Sequence, residues 1–343
     1  MQKRLGLVVF SAILVLLMAV AAGCGGGSGG DSNAGGEINE VTLKLAHNAQ
    51  VNSPIDLGTH KFAELVEQKS SGKMTVEIYP ANQLGGNREI IEQTTMGGID
   101  IVVVGLGVFG YLDDRFMMMQ VPFLFRSQEQ IHEALDGELG NELKESMLEN
   151  SIYMLDMNWD RLPRQITSNK PIKTIEDMKG QIIRAGATPP IEVFKRMGAE
   201  PTKVPLNEMY LAVQQGVVHG VELPTDYIYD YSIYEVNKYC NMLNHTYGTL
   251  GVGLSAVTKE KLSAKQLQIL EEAAKEAGEY QNELTWNQQA DYEEKLAAAG
   301  MILVKPDDIT PFVEAVKDMI PELEQIWPNA KGMAEKIYAI EAE

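Results

Sequence analysis

Cysteine is almost missing from this chain: its 343 residues include two, Cys24 and Cys240. With so few thiols there is neither a disulfide framework nor a cysteine-built zinc site, and stability has to come from a hydrophobic core. The five histidines, His47, His60, His132, His219 and His245, show no HxxxH or HExxH spacing, so no metal centre is expected. Neither a GxSxG elbow nor a GxxxxGK[ST] loop occurs, which leaves catalysis without a candidate nucleophile. Basic charge is also scarce, 29 Lys and Arg standing against 48 Asp and Glu for a formal net charge of −19. A field of that sign argues against nucleic acid and against a polybasic membrane patch, and it favours solubility.

Long apolar runs are confined to the start. Lys3 and Arg4 precede an apolar stretch from Leu5 to Val20, and the small residues Ala21-Ala22-Gly23 lead to Cys24. This is the layout of an export signal over 1–23, not of a resident membrane span. Ala21-Ala22-Gly23-Cys24 resembles a bacterial lipobox, which makes Cys24 the expected lipidated residue; ordinary cleavage beside an incidental cysteine is the alternative. Residues 24–40 are rich in Gly and Ser and read as a flexible tether. The expected location is therefore outside the cell's inner compartment, lipid-anchored on the outer face of the cytoplasmic membrane. That arrangement suits a cell with no outer membrane, although the sequence leaves the source open. Lipidation consumes Cys24, so no internal disulfide is expected, and Cys240 within Tyr239–Leu243 reads as a small buried hydrophobe.

Beyond the tether, strand and helix patterns alternate. Val41 to Ala46 and Met74 to Tyr79 read as strands around a helix from about Ile55 to Lys69, and a helix near Arg88 to Thr95 precedes the unbroken apolar run Ile101 to Val104. The second half repeats the style, with strands at Ile152 to Asn158 and Gln181 to Ala185, a capping box at Thr174 to Asp177, and a helix begun by Pro189-Pro190. Such order predicts an α/β fold with a mostly parallel sheet and ligands at the carboxyl ends of its strands. Ser263 opens a helical pattern from Ala264 to about Ala299, softened only by Gly278. About 35 residues of helix extend roughly 50 Å. No internal repeat is visible.

Gly105-Leu106-Gly107-Val108-Phe109-Gly110 matches the dinucleotide fingerprint GxGxxG after a strand, yet the acidic residue needed about twenty residues later is replaced by the polar, helical Ser127 to Gln130. A tight loop lining a cleft is the better expectation. Met117-Met118-Met119 reads as core, and acidic pairs such as Glu271-Glu272 and Glu293-Glu294 as the solvated face of the long helix.

Three ordered landmarks carry the functional signal: Arg164-Gln165-Ile166-Thr167-Ser168-Asn169-Lys170-Pro171-Ile172, Lys179-Gly180-Gln181-Ile182-Ile183-Arg184, and Gly216 through Pro224 with His219-Gly220-Val221-Glu222. Arg184 ends a β-branched run, where a guanidinium emerges at a strand end, and its planar fork suits a carboxylate. With Leu43 to Asn48, Tyr79 to Gly86, Gly98-Ile99-Asp100 and Pro122 to Phe125 upstream, the ordered set resembles the solute-binding subunits of tripartite ATP-independent (TRAP) transporters from about Val41 onward.

That resemblance implies a two-lobed, periplasmic-binding-protein-like clamshell, each lobe a mixed, mostly parallel sheet flanked by helices, with the long helix spanning both. Lobe I is expected over 41–161 plus about 250–285, and lobe II over 162–249 plus about 286–343. It implies a receptor, not an enzyme, that captures a small organic acid without a cofactor and delivers it to a membrane permease; a monomer is expected. Arg184 matches the family's carboxylate clamp and Arg164 a secondary contact or hinge partner. Asn48, Trp159, Tyr210 and the Leu223 position complete the expected ligand set, Trp159 by stacking. His47 is either a ligand-loop residue or a structural histidine, and Glu222 is expected as a structural acceptor; whether it or Asp226 faces the cleft is open.

Departures from the family pattern bear on the ligand. Leu223 replaces an asparagine found in many members, Leu206 replaces a phenylalanine, and Gly105 and Val108 fall where sialic-acid binders carry a glutamate and an arginine. These changes point away from sialic acid and toward a monocarboxylate or keto acid with an apolar body. The rival classes are a solute-binding lipoprotein of another importer type and a nucleotide-binding enzyme using the Gly105 to Gly110 loop.

Overall fold

A computed structural model describes residues 38–340; the leader over 1–23, Cys24 and the tether up to residue 37 lie outside them. Val41–His47 (β1) and Met74–Tyr79 (β2) flank the helix Pro54–Lys69, whose first turn is capped by the Ser53 hydroxyl accepting the Asp56 amide. Ile101–Gly105 (β3) is buried along its whole length. Ile101 and Val103 enter one hydrophobic core and Val102 and Val104 another, as the two-residue period of a strand covered on both faces requires. The remaining strands are Ile152–Ser168 (β4), Ile183–Ala185 (β5), Thr202–Lys203 (β6), Gly220–Pro224 (β7), Tyr239–Ser255 (β8) and Ile302–Val304 (β9).

All nine join one sheet in the order β2-β1-β3-β8-β4-β7-β5-β6, with β9 on β8. The flanks are parallel, β1 with β2 and β3, and β5 with β6 and β7, whereas β8 and β4 make the centre antiparallel. At 17 residues each, β4 and β8 are far longer than the runs Ile152 to Asn158 and Tyr239 to Leu243 suggested. Their polar middles, Asp160 and Arg161 on β4 and Asn244 to Thr246 on β8, break the apolar alternation that marks a strand. Register shifts between Met154 and Ile166 accommodate them.

The long helix runs Ala264–Ala298, opened by a Ser263/Gln266 capping box. Near its start Lys69 of the first helix reaches Glu276 at 2.6 Å, and near its end Tyr292 packs edge-on to Tyr229. Along its middle it holds β4: the Trp159 indole donates to the Ala274 carbonyl at 2.9 Å, Gln281 donates to the Asp160 carbonyl at 3.0 Å, and the Trp286 indole donates to the Asp160 carboxylate at 2.7 Å. The Asp160 carboxylate also meets Gln128 and His132, fixing the strand immediately before Arg161.

Gly278 is the point of closest approach in this packing, not merely a weak link in the helix. A Cβ there would lie 2.7 Å from Trp159 Cδ1 and Nε1. Gly278→Ala should therefore lower stability by about 1 to 3 kcal/mol through overpacking, against the roughly 1 kcal/mol that alanine's helix propensity returns. Urea unfolding checks the sign; a higher midpoint would mean that Trp159 has room to retreat.

Candidate ligand-binding cleft

The carboxyl ends of β1, β3 and β5 open onto one cleft, where Asn48, Gly105 and the Gly186 to Thr188 segment meet, as expected for parallel strands. Counting its mouth, the cleft encloses about 950 Å³. Its polar wall is unusual for so acidic a chain: Arg161, Arg164, Arg184 and Lys203 line it, with Glu222 as the one acidic residue among its lining. The first turn of the helix Thr188–Arg196 lines it too, adding the positive end of a helix dipole.

Arg184 is set by β5, which lies between parallel neighbours with Arg184 opposite Thr202 on β6 and Val221 on β7. Its Nε donates to the Val204 carbonyl at 2.9 Å, and no carboxylate pairs with it among the described residues. Only 4% of the residue is exposed. Burial pulls its pKa down to about 10, Glu222 opposing and Arg164 assisting.

Arg164 is differently placed. It pairs with both Glu222 carboxylate oxygens, Nη2 reaching Oε2 at 2.7 Å, and also donates to the Glu222 backbone carbonyl at 2.9 Å. His245 Nε2 lies 3.3 Å from the same carboxylate. Burial works to raise the Glu222 pKa, but the charge and hydrogen bonds of Arg164, with the His245 bond, hold it well below the usual carboxylate range. Burial likewise lowers the His245 pKa despite Glu222. Glu222 thus lines the cleft as an occupied acceptor, and Asp226 is not among the lining residues.

Arg161 is the residue that sequence reasoning missed. Three positions apart on a regular strand, Arg161 and Arg164 would point to opposite faces. Arg161 is opposite Gly248 and Arg164 opposite Thr246, so β4 advances three residues while β8 advances two. This bulge contains Pro163, a residue suited to bulges because it has no amide to donate, and it delivers both arginines to the cleft. Pro163 was the available signal. Gln120 and Lys203 were also missed and line the cleft.

Asn48 and Leu223 stand at the cleft as expected, Asn48 Nδ2 donating to Asn87 Oδ1 at 2.6 Å. So do Leu206, Gly105 and Val108, the last two in and beside a 3-10 turn over Leu106–Tyr111. Trp159 and Tyr210 require correction. Trp159 is wholly buried beneath the long helix, two residues before the strand emerges at Arg161, and cannot stack on a ligand there. Tyr210 lies outside the lining, its hydroxyl donating to Glu235 at 2.8 Å. His47 is also buried, with Nε2 3.1 Å from Asp56, tying β1 to the first helix. Met118 and Met119 are core residues, whereas Met117 reaches the cleft wall.

A family model for bacterial extracellular solute-binding protein family 7 matches residues 45–325. The chain belongs to this family, the solute-binding proteins of TRAP transporters. A sialic acid-binding periplasmic protein of Vibrio cholerae is 28% identical over 85% of this chain and 91% of its own length. The C4-dicarboxylate-binding protein of Bacillus subtilis is 30% identical over 73% of this chain and 72% of its own. A TRAP periplasmic solute-binding protein of Sulfurospirillum deleyianum, solved with bound succinate, superposes with a TM-score of 0.80 at 28% identity, covering 88% of this chain and all of that one. The α/β architecture with its long helix is that of this TRAP family. Among the described residues, no helix is long and apolar enough to cross a membrane.

The Arg164–Glu222 pair, in which Glu222 is fully buried and Arg164 partly so, leads to a stability test. Removing one partner of such a pair strands the other's charge, so Arg164→Ala should destabilise the fold by about 3 to 5 kcal/mol, less whatever Glu222 recovers by taking up a proton. Because the Glu222 pKa is depressed in the fold, its contribution is present above the ordinary carboxylate pKa and is lost as pH falls through the folded value. The variant's unfolding should consequently be less sensitive to acid than the parent's. An Arg164→Ala protein as stable as the parent in urea at neutral pH would show that the pair does not contribute to the fold.

Proposed function

We propose that this chain is the extracytoplasmic receptor of a TRAP transporter and captures a small organic acid for a membrane permease. The observation that carries this reading is Arg184, a buried guanidinium facing a cleft and paired with no carboxylate among the described residues. Relatives that bind succinate or sialic acid, both carboxylic acids, support the same chemistry. Family members are solute receptors and not enzymes, and we extend that description to this chain. An entering carboxylate takes the free face of Arg184 bidentately, and exclusion of water strengthens the pair. Asn48 is the proposed polar contact across the cleft, and Leu223 and Leu206 an apolar wall.

Closure is proposed to occur between lobe I, 41–161 plus about 250–285, and lobe II, 162–249 plus about 286–343. The bulge between Arg161 and Arg164 supports that boundary, because it interrupts the β4–β8 ladder there. Continuity of the sheet through β4 and β8 makes the hinge a bend of two strands, with the long helix bracing it.

Arg184→Ala should weaken the cognate acid by about 2 to 5 kcal/mol, roughly thirtyfold to several thousandfold, the usual cost of removing one partner from a desolvated charge pair. A thermal-shift screen of organic acids finds the ligand and calorimetry on the variant checks the loss; undiminished affinity would sink the clamp. We further propose that the exported protein is held at the outer face of the cytoplasmic membrane by lipid on Cys24. Cys24→Ala should then move the protein from the washed membrane fraction to the soluble one with its affinity intact. Retention on the membrane would refute lipidation at that residue.

A further inference from the structure

The cleft has more positive charge than one carboxylate consumes. Of its four cations, Arg164 is satisfied internally by Glu222 and Arg184 is the proposed clamp. Arg161 is left over. Its guanidinium lies 5.4 Å from the centre of the Tyr227 ring, and it forms no hydrogen bond or ion pair among the described residues. Asp226 feels its charge, burial raising the Asp226 pKa and Arg161 opposing that rise, but no ion pair forms between them.

Two features of the backbone accommodate this side chain. The Pro163 bulge turns Arg161 to the same side as Arg164. Gly105, at the end of β3, leaves space that a side chain would fill, since a Cβ there would lie 2.8 Å from Arg161 Nη1. Arg161 also stands at a junction: beyond it the cleft continues into a second chamber of about 520 Å³, counting its opening, which shares Gly105, Arg161, Arg164 and Thr246 with the first. Thr246, Tyr247 and Thr249 of β8 line this chamber.

We propose that Arg161 holds a second anionic group of the ligand, so that the cognate solute is a dianion extending from Arg184 toward the inner chamber. The inference rests on the carboxylate-receptor reading of this cleft and replaces the single-charge, apolar-bodied acid that Leu223 and Leu206 had suggested. Arg184 enters from β5 and Arg161 from β4, with β7 between them. Two strand spacings separate the two backbones by about 10 Å, so the two guanidiniums approach the ligand from different strands and meet different groups on it. Lys203, an exposed residue of the lining, adds to the attraction and has no ion-pair partner among the described residues.

The test compares linear α,ω-dicarboxylates of four to seven carbons with monocarboxylates of the same lengths, by thermal shift and then calorimetry, on the parent and on Arg161→Gln. The tightest binder should be a dicarboxylate. Arg161→Gln should raise its Kd about tenfold to a hundredfold, the value of a charge-assisted hydrogen bond, while changing the Kd of the matched monocarboxylate by less than about threefold. Arg161→Lys should recover part of the loss, and Gly105→Ala, which displaces the guanidinium without removing it, should reproduce part of it. A tightest binder with one acidic group, or equal losses for both classes, would overturn the proposal and leave the receptor reading intact. No shift from any acid would overturn both.

Discussion

Arg184 keeps a guanidinium almost wholly out of water with a single backbone carbonyl as its partner, and burial brings its pKa down to about 10. A displacement of that size corresponds to about 3 kcal/mol, set against folding so long as the arginine stays charged. The fold tolerates the penalty because β5 is locked on both sides by parallel neighbours, so the side chain cannot be released to solvent by local rearrangement. In the proposed clamp, a carboxylate delivered from outside relieves the penalty at the moment of binding. Affinity in such a site comes partly from a cost already met during folding.

For that to work, the protein's own carboxylate must be kept from doing the ligand's job. Glu222 is close enough for its charge to raise the Arg184 pKa, yet its oxygens are taken by Arg164 and His245. The pair joins β4 to β7 and at the same time holds Glu222 away from the clamp. Arg164 therefore sits in the cleft for a reason different from that of Arg184: it neutralises an internal acid. Its repulsion of Arg184 leaves the clamp still more receptive to an anion.

Much of this was legible in the residues. The apolar run of β3, the amphipathic first helix and the long helical pattern opened by Ser263 are local features, and they are found within a residue or two of their expected ends. Arg184 was legible because a strand end is a local feature. Arg161 and Trp159 were not, because their directions depend on pairing with β8, more than eighty residues away. Alternation along β4 cannot anticipate a bulge, and a tryptophan near an arginine in sequence is no guide to whether the long helix covers it. Tyr210 was misplaced for a related reason: on a short helix one residue step rotates a side chain by about 100°, from wall to surface.

The glycines of the Gly105 to Gly110 segment show how the same letters serve different physics. In a dinucleotide site such glycines let the backbone approach a pyrophosphate. Here the space left by Gly105 is taken by the Arg161 guanidinium, and the Gly107 carbonyl accepts from Gln120 at 2.8 Å. The absence of side chains admits positive charge from the protein instead of negative charge from a nucleotide. In a chain with a formal net charge of −19, that local inversion matters. Exposed carboxylates are screened within about 10 Å at moderate ionic strength, whereas charges inside a walled cleft are screened much less. An anion that has crossed the screened exterior meets three arginines and a lysine against one committed glutamate, and the sign of the field it feels is set by the cleft, not by the acidic body around it.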